Sequence, residues 1–211
     1  MNKTSAKDII IIAAKLLIIC SIVAAIVASV NFITADKIAY NERVNTAEAL
    51  TGIYFDDYNA PFTVDNDGFA IKDEENVLIT CKQEEFDFTS NDVKALYTLN
   101  DANGKTVGFC ISVQPMGFKD YIKMLVAVNA DCTVKGVEIV SMSETSGIGT
   151  KAKDESFLSQ FINLDEVAVK RDVDIISGAT KTTKPVIDAV AASLYEVSEY
   201  IHKNGGAANE Q

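Results

Sequence analysis

The chain is poor in the residues that carry most acid–base and metal chemistry. Its 211 residues include one histidine, His202, and no tryptophan. Histidine is the commonest general base and a frequent zinc ligand, so histidine-rich metal sites and most histidine-based catalysis are nearly excluded. Positive charge is scarce too, since 19 Lys and Arg face 30 Asp and Glu, for a net charge of -11. A nucleic-acid binder needs a basic surface, so this composition argues against that class of function.

The four cysteines are not spaced for metal binding. Cys20, Cys81, Cys110 and Cys132 form no CxxC pair, so zinc knuckles and iron–sulfur sites have no support. The last three alternate with apolar residues, which favours burial as small hydrophobic side chains. A disulfide between two of these cysteines is an alternative, because disulfide connectivity cannot be read from sequence.

The sequence does contain a long apolar run near its start. Residues Ile9–Val30 contain only three polar side chains. As a helix this run would be about 33 Å long, enough to cross a hydrocarbon core of about 30 Å. We therefore expect a transmembrane helix over residues 9–32, after a short cytoplasmic segment at residues 1–8.

Basic residues predict the orientation of this helix. Lys3, Lys7 and Lys15 lie before the run or in its first part, and such residues favour the cytoplasmic side. We predict a single-pass protein of the cell membrane, with a cytoplasmic N-terminus and an acidic, soluble, extracytoplasmic main domain. A signal peptide cleaved at Ile26–Ala28 is one alternative, and a lipoprotein site at Cys20 is another.

Beyond the apolar run the pattern predicts an α+β domain. Helical composition continues over Asp36–Leu50 as a stalk, and a turn-rich acidic stretch from Gly52 follows it. From Val77 onward, alternating residues predict strands, with hairpin turns at residues 103–104 and 129–131. Two successive hairpins predict an antiparallel sheet, with packed helices against it.

The C-terminal third combines a glycine-punctuated loop with an apolar helix. The loop is Glu144–Ala152, and a short helix with Asp154 as its N-cap is predicted to follow. The run Val167–Ile176 is then predicted to form a strand. The last helix is predicted to start at Thr183–Pro185, with one apolar face on the sheet.

Between that strand and that helix lies a turn of small residues, Ser177–Thr180. Small residues let the backbone approach an anion, and a helix N-terminus directs N–H groups and a positive dipole at it. Lys181 and Lys184 add positive charge, and the Thr180 hydroxyl could contact a phosphate or be esterified by it. The alternative is that the hydroxyl residues only cap the helix and tighten the loop.

Two motifs resemble those of a known family. The run Asp174–Thr180, D-I-I-S-G-A-T, resembles the flavinylation motif of the FMN-binding domains in RnfG and NqrC subunits of respiratory complexes. The run Glu144–Lys151, E-T-S-G-I-G-T-K, resembles the family's E-T-P-G-L-G loop, with Ser146 in place of the proline. Gly117–Ile122 is similar to a glycine-aromatic segment of the family. The resemblance covers about residues 104–201.

The resemblance implies a flavoprotein without catalytic residues of its own. In the family, the threonine that ends the S/T-G-A-T run carries FMN through a phosphoester bond, and the flavin performs the redox chemistry. The glycine loop would wrap the flavin. No metal ligands are predicted, and the predicted cofactor-binding residues are Thr180, Ser177, Gly178, Ala179, Lys181, Glu144, Thr145, Gly147 and Gly149.

The remaining expectations concern two aromatic residues and the limits of three segments of the chain. Phe118 and Tyr121 are candidate neighbours of the flavin ring, although core packing is the expected role of each. Residues 33–100 are expected to form the stalk and the N-terminal part of the extracytoplasmic domain. Residues 101–203 are expected to form the FMN-binding domain, with a flexible tail at residues 204–211.

The function implied by the resemblance is electron transfer in a membrane-bound, ion-translocating ferredoxin:NAD oxidoreductase, the Rnf complex. Its partners would be membrane and iron–sulfur subunits, membrane lipid and a flavin transferase. An NqrC-type subunit of a sodium-pumping quinone reductase and a free-standing extracellular flavoprotein are alternatives. A non-redox phosphate-binding module and a tethered structural protein also stay open.

Overall fold

The first element is a long helix. A computed structural model describes residues 6–55, 61–65, 68–73 and 76–205. Helix α1, Ala6–Phe55, contains 50 residues. Among the described residues it is the one helix long and apolar enough to cross a membrane. It continues unbroken through Asp36–Leu50, so the predicted helical conformation of this run is confirmed.

The chain divides into two units, residues 1–42 and residues 43–211. In the first unit the large apolar side chains of α1, such as Ile10, Leu17 and Val27, are exposed. Such exposure suits a helix surrounded by lipid rather than by protein. The second unit contains the sheet and all the other helices.

In the described part of the chain, seven antiparallel strands form one sheet, in which consecutive strands pair with each other. The strands are β1 Phe62–Val64, β2 Gly68–Asp73, β3 Asn76–Glu84, β4 Val93–Asp101, β5 Thr106–Val113, β6 Lys123–Asn129 and β7 Val134–Ser141. The antiparallel sheet and both hairpins are therefore confirmed. The first hairpin turns at Gly104, whose φ of 79° favours glycine.

Strands β1 and β2 correct the prediction of a turn-rich stretch after Gly52. Helix α1 also extends four residues into that stretch, from Gly52 to Phe55. Phe69 and Ile71 of β2 are buried, so an apolar alternation is present, but the surrounding Asp, Asn and Gly residues obscure it in the sequence. The boundary expected at residue 101 falls inside the β4–β5 hairpin, so one sheet continues across it.

The remaining α-helices are α2 Glu155–Leu158, α3 Glu166–Asp172 and α4 Thr180–Gly205. The predicted strand over Val167–Ile176 is wrong, because most of this run belongs to α3. The carboxylate of Asp165 accepts the Ala168 N–H at 2.8 Å and thereby caps this helix. Asp154 occupies the predicted N-cap position of α2, but its side chain makes no capping bond among the described residues.

The predicted start of the last helix is also wrong. Helix α4 begins at Thr180 rather than at Thr183, so Pro185 lies in its second turn. The N–H groups of Thr182 and Thr183 both donate to the Ala179 carbonyl at 2.9 Å. These threonines therefore form the first turn of the helix instead of capping it.

Helices cover both faces of the sheet. On one face α4 buries the side chains predicted from its period, Val186, Val190, Leu194 and Val197. On the other face the last turns of α1 bury Ala47 and Leu50, both 0% exposed, against Leu99, Cys110 and Leu125. The C-terminal part of α1 is therefore a structural element of the domain.

The cysteines behave mainly as small hydrophobic residues. Cys81 and Cys110 are buried and Cys132 is half-buried, and all the cysteines are free in the described part of the chain. Burial raises the pKa of the Cys81 and Cys110 thiols, so both stay protonated and unreactive.

Candidate functional site

A cavity of about 500 Å³ lies beside the turn Ser177–Thr180. Its lining comes from three segments, namely Phe118, the loop at residues 144–149 and the start of α4 at residues 178–182. This volume falls in the range of small-molecule sites. The same three segments carry the motifs that the sequence singled out.

The turn presents a hydroxyl at the N-terminus of a long helix. Gly178 has a φ of 82°, and apart from Gly178 itself and its chain neighbours no heavy atom of the described residues lies within 4 Å of the place where its Cβ would be. Ala179 is buried, whereas Ser177 and Thr180 are exposed. Helix geometry leaves the N–H groups of Thr180 and Lys181 without partners inside α4. The turn thus offers a hydroxyl, N–H donors and a positive dipole end beside the cavity.

The glycine loop is ordered by its own hydrogen bonds. The Thr145 carbonyl accepts the N–H groups of Ile148 and Thr150, each at 3.2 Å. The Gly147 N–H donates to the Thr150 hydroxyl at 2.9 Å. The backbone φ of Gly147 is 73°. The loop therefore keeps a defined shape although Ser146 replaces the family's proline.

Glu144 is buried and links all three segments. It is 8% exposed. Its Oε1 accepts the N–H groups of Phe118 at 2.8 Å and Lys119 at 3.1 Å. Its Oε2 accepts the Thr182 hydroxyl at 2.9 Å. Glu144 therefore ties the loop to the other two segments, and its carboxylate is not a solvated group.

The rim of the cavity is apolar and exposed. Phe118 and Tyr121 are 54% and 57% exposed, so the expectation that they pack in the core is wrong. They belong to a turn between β5 and β6 that the Gly117 N–H closes on the Asp120 carbonyl at 2.9 Å. The Lys181 Nζ lies 5.4 Å from the centroid of the Phe118 ring, a cation–π contact.

The structure brings most of the predicted site residues to this cavity. Those that line it are Thr180, Gly178, Ala179, Lys181, Glu144, Thr145 and Gly149. Ser177 and Gly147 lie in the same two loops, outside the cavity lining. Ile148 and Thr182 line the cavity and were missed, although the position of Ile148 between two glycines was a usable signal. The described residues contain no side-chain cluster suited to a metal ion.

Gly149→Ala is expected to lower the free energy of unfolding by about 1–3 kcal/mol, because the site has no space for a side chain. The added Cβ would lie 2.8 Å from the Glu144 Cβ and 3.0 Å from the Thr182 Oγ1. Chemical denaturation of the purified chain measures the effect. Ser146→Ala, at an exposed position of the same loop, is the control, with a change within about 0.5 kcal/mol. Equal midpoints for the two variants would contradict this prediction.

Comparison with known proteins identifies the domain around the cavity. Residues 117–195 match the family of the FMN-binding domain. The chain is 32% identical to the G subunit of the ion-translocating oxidoreductase complex of Methanosarcina acetivorans, over 54% of this chain and 64% of that protein. It is 31% identical to the G subunit of the proton-translocating ferredoxin:NAD(+) oxidoreductase complex of Clostridium ljungdahlii, over 52% of this chain and 63% of that protein.

Other relatives match over different lengths. The G subunit of the Na(+)-translocating ferredoxin:NAD(+) oxidoreductase complex of Acetobacterium woodii is 25% identical over 85% of this chain and 86% of that protein. The crystal structure of Shewanella oneidensis NqrC is 26% identical, covers 59% of this chain and 65% of its own, and gives a TM-score of 0.41. The chain thus spans slightly under two thirds of the length of the Methanosarcina and Clostridium relatives. Residues 117–195, which contain the lining of the cavity, thus match an FMN-binding domain, and the chain is similar to the G subunits of ion-translocating oxidoreductase complexes.

Proposed function

We propose that this chain is the RnfG-type subunit of a membrane-bound, ion-translocating ferredoxin:NAD oxidoreductase complex. In this proposal it passes electrons between partner subunits through FMN that is esterified to Thr180. The observation that carries the proposal is the exposed Thr180 at the first residue of α4, beside a cavity inside the matched domain. The printed names of the relatives support the kind of complex.

The residues of the cavity fit FMN. The N-terminus of α4 and the ammonium group of Lys181 suit the charge of a phosphodiester. The exposed apolar side chains of Phe118 and Ile148, which line the cavity, suit an aromatic ring system. When bound, FMN supplies the redox chemistry, because it accepts and releases one or two electrons. The chain's residues hold and orient it.

Attachment of the flavin needs a second enzyme in this proposal. A flavin transferase would bring FAD and magnesium to the exposed Thr180. The hydroxyl oxygen forms a bond to the phosphorus of the FMN half, and the phosphoanhydride bond to AMP breaks. AMP leaves, and the hydroxyl proton passes to a base of the transferase or to water. Because the bond is made to the phosphate, the ring keeps its redox chemistry.

The apolar part of α1 is the membrane anchor in this proposal. Its exposed aliphatic side chains would contact lipid, and the lysines near its start favour a cytoplasmic N-terminus. The FMN-binding domain is then extracytoplasmic. Its partners are the membrane subunits and iron–sulfur subunits of the same complex.

Material purified from native membranes tests the proposal. Intact-mass spectrometry of the denatured chain is expected to show one added FMN, with the loss of one water. Iron–sulfur subunits are expected to copurify in fixed proportion when the membranes are solubilised gently. A bare polypeptide mass would contradict the covalent flavin, and a chain that purifies alone would contradict the role as a subunit.

A further inference from the structure

A single buried carboxylate holds together the three segments around the cavity. Its three donors, Phe118 N–H, Lys119 N–H and the Thr182 hydroxyl, lie at 2.8, 3.1 and 2.9 Å from the Glu144 oxygens. These donors come from positions up to 38 residues away in the chain. A carboxylate can satisfy them all at once because it is an acceptor only, with two oxygens and several lone pairs. Bonds to its charge are also stronger than neutral ones.

Two glycines make this closure possible. A Cβ on Gly149 would lie 2.8 Å from the Glu144 Cβ and 2.9 Å from its Oε2. A Cβ on Gly117 would overlap Oε1 of the same carboxylate and lie 3.0 Å from the Asp120 carbonyl oxygen. The turn at Gly117 and the end of the loop at Gly149 therefore each approach the Glu144 side chain at a residue without a side chain. The Glu144 carboxylate holds the segments in this arrangement, and the two glycines leave the space that its side chain occupies.

The connection to Thr180 runs through the first turn of α4. Thr182 is 2% exposed and lies two residues after Thr180. The segment before Thr180 is a turn at Gly178, a residue with wide conformational freedom. The bond between Thr182 and Glu144 is therefore the side-chain tie that fixes the direction of this first turn relative to the loop.

We propose that Glu144 is the positioning residue for flavin attachment at Thr180. It acts through Thr182, and it keeps the Thr180 hydroxyl and the cavity in the arrangement that a transferase can use. This inference rests on the proposed function. In this inference Glu144, which also lines the cavity, acts by holding the geometry of the turn. A displacement of about 1 Å at a reacting group costs on the order of 100-fold in rate.

The test measures transfer of FMN from FAD to the unmodified full-length chain by a flavin transferase with magnesium. Glu144→Ala and Thr182→Val are expected to lower kcat by about 10-fold to 100-fold with little change in KM, because the exposed turn still meets the enzyme. Glu144→Gln and Thr182→Ser are expected to recover most of the rate. The glutamine carbonyl accepts from both backbone N–H groups, and its amide donates to the Thr182 hydroxyl.

Glu196 provides a matched control. It is 1% exposed, and its Oε1 accepts the N–H groups of Thr89 and Ser90, both at 2.7 Å. It lies on α4, four helical turns beyond Thr180. Glu196→Ala therefore removes the same kind of buried carboxylate and backbone tie, and it is expected to leave kcat for transfer near that of the parent chain.

A second measurement needs no flavin. Amide hydrogen exchange of the unmodified chain is expected to be faster at Phe118 and Lys119 in Glu144→Ala, and unchanged there in Glu196→Ala. Parental kcat in Glu144→Ala, equal losses in the two alanine variants, or unchanged exchange at both amides would each overturn the inference. A parent chain that accepts no FMN would instead overturn the proposed function, and the inference with it.

Discussion

A chain with Thr180 replaced by alanine is expected to carry no covalently bound flavin. The two other threonines in the first turn of α4 cannot replace it, because both are buried and the hydroxyl of each already donates a hydrogen bond. The Thr182 hydroxyl donates to Glu144 at 2.9 Å, and the Thr183 hydroxyl donates to the Ala179 carbonyl at 3.2 Å. Thr180 itself is exposed, so alanine should change the free energy of unfolding by no more than about 0.5 kcal/mol.

In-gel fluorescence under ultraviolet light measures this effect on denatured chains coexpressed with a flavin transferase. Thr180→Ser keeps a hydroxyl and is expected to retain flavin, and so is Ser177→Ala, which removes the other exposed hydroxyl of the turn. Fluorescence of Thr180→Ala equal to that of the parent would contradict the proposed attachment. Fluorescence lost only when both residues are replaced would extend the attachment to Ser177.

A chain that begins after α1 is expected not to fold. Removal of residues 1–55 uncovers the sheet face on which Leu99, Cys110 and Leu125 pack against Ala47 and Leu50. The loss of one fully buried leucine costs about 2–5 kcal/mol. The whole stability of a domain is about 5–15 kcal/mol. The loss of several buried α1 residues together therefore removes most or all of it.

A matched pair of truncated chains checks this prediction. A chain that begins at Arg43, the start of the second unit, is expected to be soluble and to unfold cooperatively. A chain that begins at Asp56 is expected to aggregate or to show no cooperative transition in circular dichroism. Identical thermal unfolding of the two chains would show that the end of α1 contributes nothing to the core.

The elements that could be predicted from the sequence depend on local pattern. The apolar run of α1, the two hairpins and the buried face of α4 follow from residues that are neighbours along the chain. The errors arise where the pattern is short or ambiguous. Strand β1 has three residues, and the valine-rich run of α3 suits a strand until the Asp165 cap is considered.

The residues of the candidate site also differ in whether local sequence pattern was enough to predict them. The turn at Ser177–Thr180 and the glycine loop are short motifs, and a resemblance was enough to select them. The partners of Glu144 could not be predicted, because Phe118 and Thr182 meet it only in the folded chain. The exposure of Phe118 likewise depends on a turn that leaves the sheet, and hydrophobicity alone suggested the core.

The strictly sequential strand order has a consequence for biosynthesis. Each strand of the sheet pairs with the strand made just before it, so the sheet can grow while the polypeptide is still being synthesised. Helix α4 is synthesised after all the described strands, and its first turn lines the cavity. If FMN is attached as proposed, Thr180 therefore reaches its final setting only after every described strand of the sheet has been synthesised.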